Sequence, residues 1–231
     1  IIPSMDLNNE IMLLFSDAED QGDNYTLGAE AWADNLSQEE INRTESFILL
    51  DMIGDADLQL TKIIPSTPIL TENLMILGEK LGLSNQTDGC NGQRSNVMQP
   101  NQSIAVIDDH VHPFALGIPS LDIIDLAYGV NATPFGGYWH TTQDTADKVS
   151  AESLESVGRI VELGLLTGAW TAIDAQLEHS ELSNNSEPEQ QQPIEEATNK
   201  GADSSKLLAV LSFSVLVISL VSLFFLKRFV E

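Results

Sequence analysis

Three carboxylates crowd the end of one short stretch. Glu10 to Asp20 reads E-I-M-L-L-F-S-D-A-E-D, an apolar run closed by Asp17, Glu19 and Asp20. Acids packed at the end of a buried strand repel one another and lose hydration, so the arrangement needs a compensating divalent metal or a shared proton. A solvated acidic turn is the plainer alternative in a chain this acidic. Further along, Asp51 interrupts the apolar run S-F-I-L-L-D-M-I, where packing gives no reason for a carboxylate. Asp108-Asp109-His110 follows another short apolar run, and His140 stands behind Trp139 in Y-W-H-T. Carboxylates with one or two imidazoles and no thiolate suit catalytic rather than structural zinc.

The elements that must position these groups follow from hydrophobic spacing. Ile11–Phe15 and Ser46–Ile53 read as strands buried on both faces. Thr26–Leu36 reads as a short helix, and 57–68 as loop that could carry an edge strand. Leu70, Leu74, Leu77 and Leu81 lie on one side of a helix over Ile69–Leu83. Ser84–Gln102 is polar and reads as a surface loop. Ser103–Ile107 and Ser120–Ile124 read as strands, with Pro113–Gly117 turning the chain between them. Tyr128–Tyr138 is a loop, and Ser150 caps a long helix running to about Ala172. Strands alternating with helices imply an α/β domain with a mixed central sheet flanked by helices. Such folds place single ligands from separate loops at strand ends.

The 231 residues carry a formal charge of −25, which excludes nucleic acid as a partner, while 42% hydrophobic content excludes a wholly disordered chain. Residues 1–175 form the folded domain. Residues 176–205 read as a polar, acidic, disordered linker, E-P-E-Q-Q-Q-P among them. A transmembrane helix is expected at 206–228, because Leu207–Leu226 is uncharged for 20 residues and spans roughly 30 Å as a helix. A short tail, 229–231, follows. Lys227 and Arg228 put that end in the cytoplasm and the acidic domain outside, in a single-pass cell-membrane protein. The opening I-I-P-S-M has no initiator Met and leads almost at once into apolar sequence, so the expectation is the C-terminal portion of a longer catalytic domain.

Four blocks in order, L-F-S-D-A-E-D-Q-G, L-L-D-M-I-G-D-A-D-L-Q, I-D-D-H-V-H-P-F-A-L-G-I-P-S-L-D-I-I-D and Y-W-H-T-T-Q-D-T-A-D-K-V-S, resemble the zinc aminopeptidase family that also contains glutaminyl-peptide cyclotransferases. The resemblance covers about Glu10–Ala172 and implies a zinc-exopeptidase-like fold with one or two Zn²⁺ ions. It implies that Glu19 is the general acid/base, activating metal-bound water in a peptidase, and that Asp20 and His140 are zinc ligands. Asp51 matches the second-zinc ligand of the aminopeptidases, or a member of a hydrogen-bond network in the cyclotransferases. Asp108 resembles the cyclotransferase acid that shares a proton with the catalytic Glu, and Trp139 looks like a wall of the substrate pocket. The leading expectation is a membrane-anchored zinc aminopeptidase acting on peptides. A glutaminyl-peptide cyclotransferase, or an inert ectodomain kept for binding, are the alternatives.

Overall fold

A computed structural model describes residues 5–171, apart from Asn8, Gly22 and Asp23. After the acidic stretch, β1 (Asp20–Gln21) and β2 (Asn24–Tyr25) form a small antiparallel ribbon. Two helices follow, α1 (Leu27–Asp34) and α2 (Gln38–Arg43). The second opens with a capping box in which Ser37 and Glu40 satisfy each other's backbone N–H groups.

Two parallel strand pairs make the framework. β3 (Phe47–Asp51) pairs with β6 (Ser120–Ile124), and β4 (Leu60–Ile64) pairs with β5 (Met98–Ala105), while β4 also packs beside β6. Every residue of β6 is buried, as S-L-D-I-I suggests for a strand covered on both faces. Its Leu121 and Ile123 join the main core with Leu70, Leu74 and Leu77 from α3 (Pro68–Lys80) and Val157 and Ile160 from α5 (Ala151–Thr167). Its Ile124 turns to a second cluster with Ile63, Val106 and Leu126. Each buried Leu or Ile contributes about 1.5–3 kcal/mol relative to exposure, so the first cluster holds the sheet to α3 and α5 and the second holds β4 and β6 to the segments that follow β5 and β6. Ser150 caps α5 through the N–H of Ser153, and Gly168 ends the helix at φ +71°. Trp170 then folds back onto Gly164, where a Cβ would lie 2.0 Å from the indole.

The α/β class, the helix at Thr26–Leu36, the Leu-striped helix and the strand at Ser120–Ile124 match expectation. Other boundaries differ. Ile11–Phe15 is not a strand: Met12, Leu13 and Phe15 are exposed, and no strand pairs with them among the described residues. Apolar composition cannot build a strand whose N–H and C=O groups find no ladder partner. The strand that 57–68 could carry is present as β4, but it lies between β5 and β6 and not at an edge. β5 begins at Met98, five residues earlier than expected, because the register jumps from Thr61↔Gln99 to Lys62↔Ser103. That irregularity takes Pro100, Asn101 and Gln102 out of the ladder, which lets a proline sit inside the strand. Val111–Ala115 is a one-turn helix, α4, where a turn was expected. The last helix ends at Thr167, not near Ala172.

Among the described residues no helix is long and apolar enough to cross a membrane. The linker 176–205, the helix 206–228 and the tail 229–231 all lie outside the described residues.

Candidate active site

Glu19 and Asp20 are held by the start of α1. Thr26 N–H donates to the Glu19 carbonyl at 2.7 Å, and Leu27 N–H donates to the Ala18 carbonyl at 3.2 Å. The close approach requires Gly28, since a Cβ there would lie 2.0 Å from the Asp17 carbonyl oxygen. Asp17 itself accepts from the Ala18 N–H at 2.7 Å and stays exposed, a structural role. Asp51 is the last residue of β3, half-buried, and Asp108 follows β5 by three residues, fully buried. Both therefore arrive at the carboxyl ends of parallel strands.

One oxygen each of Glu19, Asp51 and Asp108 lie within 4.8 Å of one another. Three acids so close cannot all ionise cheaply. Burial first, then the charges of Asp108, Asp51, Asp109 and Asp20, push half-buried Glu19 up to about 7. Burial and Asp51 push Asp108 up to about 7 as well, against the Asp109 N–H, which donates to Asp108 Oδ1 at 2.6 Å. Asp51 is raised by burial, with the Met52 N–H opposing. Asp109 accepts a short hydrogen bond from the Ser16 hydroxyl, tying the Asp108 turn to the strand of chain that carries Glu19.

Asp20 lies close enough to raise Glu19, Asp51 and Asp108, and its Oδ2 meets His140 Nε2 at 2.9 Å. Trp139 stacks on the His140 ring at 3.8 Å, and Phe135 meets Trp139 edge-on at 5.5 Å. The loop bearing these rings is pinned at both ends. Phe135 N–H donates to the Leu126 carbonyl at 2.7 Å, and Tyr138 N–H to that of Tyr128 at 2.8 Å. Ala18, Met52, Phe135 and His140 all have φ between +48° and +61°. Left-handed backbone at non-glycine residues costs about 1–3 kcal/mol each and collects at functional sites, and here it flanks Glu19 and Asp51 and carries His140.

A zinc ion fits this donor set. Asp20 Oδ2 and His140 Nε2 face each other 2.9 Å apart, and ligand atoms on a tetrahedral zinc stand about 3.4 Å apart for bonds of roughly 2.0–2.2 Å. A small opening of that pair would admit the ion, and its charge would offset the repulsion among the neighbouring acids.

The six residues to which the resemblance gave a site role are thus brought to one region: Glu19, Asp51 and Asp108 in one cluster, Asp20 with His140, and Trp139 on the latter. His110 turns away from it. Its ring is fully buried, with Nε2 2.6 Å from the Pro65 carbonyl. Sequence reasoning missed Asp122, which is wholly buried in the middle of β6, and whose carboxyl is raised well above its ordinary value by burial and by Asp108, Asp51, Glu19 and Asp109. The signal was available, since an acid inside L-D-I-I is the same anomaly as Asp51 inside L-L-D-M-I. Asp55 and Asp125 are buried anchors that were also missed. Asp55 accepts from the Gly129 N–H at 2.8 Å, and Asp125 accepts from Gln59 and Ala127 N–H at 2.8 and 2.9 Å, fixing the base of the Trp139–His140 loop.

With this geometry in hand, residues 3–163 match the model of Peptidase family M28. The chain belongs to that family. A glutaminyl cyclase from an Acidobacteriales bacterium is 32% identical with a TM-score of 0.54, covering 67% of this chain and 51% of its own. A glutaminyl-peptide cyclotransferase from Dictyostelium discoideum is 27% identical over 130 residues, 55% of this chain and 33% of that protein. An aminopeptidase from Aneurinibacillus is 26% identical, covering 64% of this chain and 30% of that one, at a TM-score of 0.43 that decides nothing. The chain spans about half the length of the Acidobacteriales enzyme and a third of the Dictyostelium protein. The resemblance read from the four sequence blocks is borne out at the level of the family, which holds both peptidases and cyclotransferases.

Proposed function

We propose that this chain carries part of the active site of a zinc-dependent glutaminyl-peptide cyclotransferase, the alternative rather than the leading expectation from sequence. The observation that carries the reading is the cluster of Glu19, Asp51 and Asp108 within 4.8 Å. A base whose neighbour is a buried acid can share a proton with it, and both groups lie near 7, where a proton moves at least cost at neutral pH. The likeness to the Acidobacteriales glutaminyl cyclase supports the same choice.

In this reading the substrate is a peptide with N-terminal glutamine. Its neutral α-amine attacks the γ-carboxamide carbon, closing a five-membered lactam. Glu19 takes the proton that the amine loses as the C–N bond forms, then delivers it to the departing nitrogen as ammonia leaves. Asp108 holds a proton against Glu19 and so keeps the base oriented, and Asp51 completes that network. Trp139, stacked beside His140, gives the lactam an apolar wall. Zinc held by Asp20 and His140 would polarise the γ-carbonyl.

The aminopeptidase reading keeps one specific support, because Asp51 stands at a strand end beside Glu19 where a second zinc ligand would serve. Product analysis separates the two. Incubation with an N-terminal glutaminyl peptide should yield the pyroglutamyl product with loss of ammonia, at one zinc per chain. Release of free amino acid from aminoacyl anilides, with two zincs per chain and no cyclisation, would overturn the proposal. Anchoring through 206–228, with the acidic domain outside, belongs to the same proposal and rests on the sequence alone.

A further inference from the structure

His110 and Asp122 are the buried polar pair that the chemistry above does not use. Both side chains are fully buried. His110 Nε2 lies 2.6 Å from the Pro65 carbonyl, which can only accept, so that nitrogen carries a proton. Nδ1 then faces Asp122 Oδ2 at 3.6 Å, and neither atom has another partner among the described residues. An unsatisfied buried polar atom costs about 1–3 kcal/mol, and two facing each other have a common remedy. A closing movement of roughly 0.7 Å makes one hydrogen bond between them.

We infer that His110 is a positioning residue for Asp108, locked by one proton that it shares with Asp122 beneath the site. The proton lies between the two in either form, as a carboxylic acid donating to Nδ1 or as an imidazolium donating to a carboxylate. The neutral form suits the surroundings better, because burial first, and then the charges of Asp108, Asp51, Glu19 and Asp109, disfavour a carboxylate at Asp122.

The connectivity explains why this matters. His110 follows Asp108 by two residues, and its ring reaches the connection after β4 on one side and the middle of β6 on the other. Just before the turn the Val106 N–H donates to the Ile64 carbonyl at 2.9 Å, and the turn itself is held by the Asp109 N–H on Asp108 Oδ1 at 2.6 Å, by the Val111 N–H on the Asp108 carbonyl at 3.0 Å and by the Ser16–Asp109 contact. The last of these fixes the turn to the Glu19 segment, not to the sheet. His110 therefore supplies, on the far side of Asp108 from Val106, a second tie to the sheet that also presents Asp51. The inference rests on the proposal that Asp108 shares the proton of Glu19.

Two variants of the whole zinc-loaded protein test it. Asp122→Asn keeps a hydrogen between the partners by donating its amide N–H to Nδ1, whereas Asp122→Leu removes it. Expected are a kcat within about threefold of wild type for the first and at least about tenfold lower for the second, with KM moving less than about twofold in both. An unchanged kcat in Asp122→Leu, or an equal loss in Asp122→Asn, would overturn it. Glutaminyl peptide and aminoacyl anilide are both assayed, so the wrong reaction defeats the proposed function while the comparison between variants still stands. Nitrogen-15 spectra of the His110 ring supply a readout independent of turnover and of how the variants fold. A hydrogen-bonded Nδ1 is expected in the wild type, and a free, unprotonated Nδ1 there would sink the inference.

Discussion

Gly28 is the position where a single methyl group should reach the chemistry. Built on Gly28, a Cβ has main chain as its three nearest neighbours: the Asp17 carbonyl oxygen at 2.0 Å, its nitrogen at 2.9 Å and its carbonyl carbon at 3.0 Å. Restoring ordinary contact demands a retreat of about 1.2 Å by a segment that cannot rotate out of the way. Thr26 and Leu27 bond to Glu19 and Ala18 across the same gap, so the retreat pulls directly on the base. A misplacement of about 1 Å costs on the order of 10²-fold in rate. Overpacking of this kind also costs about 1–3 kcal/mol, or roughly 2–12 °C in Tm for a chain of this length. Gly28→Ala should therefore lower kcat on a glutaminyl peptide about a hundredfold while the melt stays cooperative. Gly158→Ala is the control, because a Cβ there, in α5, meets nothing within 4 Å. It should leave kcat unchanged and raise stability by up to about 1 kcal/mol. A Gly28→Ala protein with kcat within about threefold of wild type and a normal melt would refute the claim that α1 positions Glu19.

Glu19→Gln removes the proton carrier but leaves Asp20 and His140 intact, so turnover should fall by about 10²–10⁴ with zinc content unchanged by elemental analysis. Stability of the metal-free protein should depend on pH in a defined sense. Glu19 and Asp108 titrate near 7 when folded, above their unfolded values, and Asp51 is raised too, so the folded state holds more protons in between. Their stabilising contribution is complete below about pH 4 and is lost as pH rises through about 7, so Tm in chelator should fall across that window. Added zinc should flatten the fall, since a cation replaces the protons, and a Tm in chelator that climbs from pH 5 to 7 would contradict the clustered geometry.

Much of the site was legible because acids in apolar runs are rare enough to mean something. Asp51 betrayed itself that way, and Glu19, Asp20, Asp108, Trp139 and His140 were legible through the four ordered blocks. Helices with a clear stripe, such as the one bearing Leu70, Leu74 and Leu77, and the wholly buried β6 were equally readable. What escaped depended on pairing, which local composition does not encode. Ile11–Phe15 looked like a strand and has no ladder partner among the described residues, while β4, read as loop with a possible edge strand, lies between β5 and β6. Pro100 hid the start of β5, because only the register jump makes room for it. His110 was weighed as a site residue although its ring points into the sheet, a direction no spacing rule reveals.

The parallel pairing of β3 with β6 sets the order in which this molecule can mature. Phe47 must wait for Ser120, about seventy residues later in the chain, before its ladder can close. At a synthesis rate of roughly 5–20 residues per second, β3 is exposed for about 4–15 s with Leu49 and Leu50 unpaired. Non-local parallel pairing is also slow in itself, because the intervening loop must be ordered before any contact rewards it. Asp51 and Asp122 thus enter the interior together when β6 inserts. Until β6 pairs with β3, Asp51 at the end of that strand is not fixed beside Glu19 and Asp108, so the carboxyl cluster forms late.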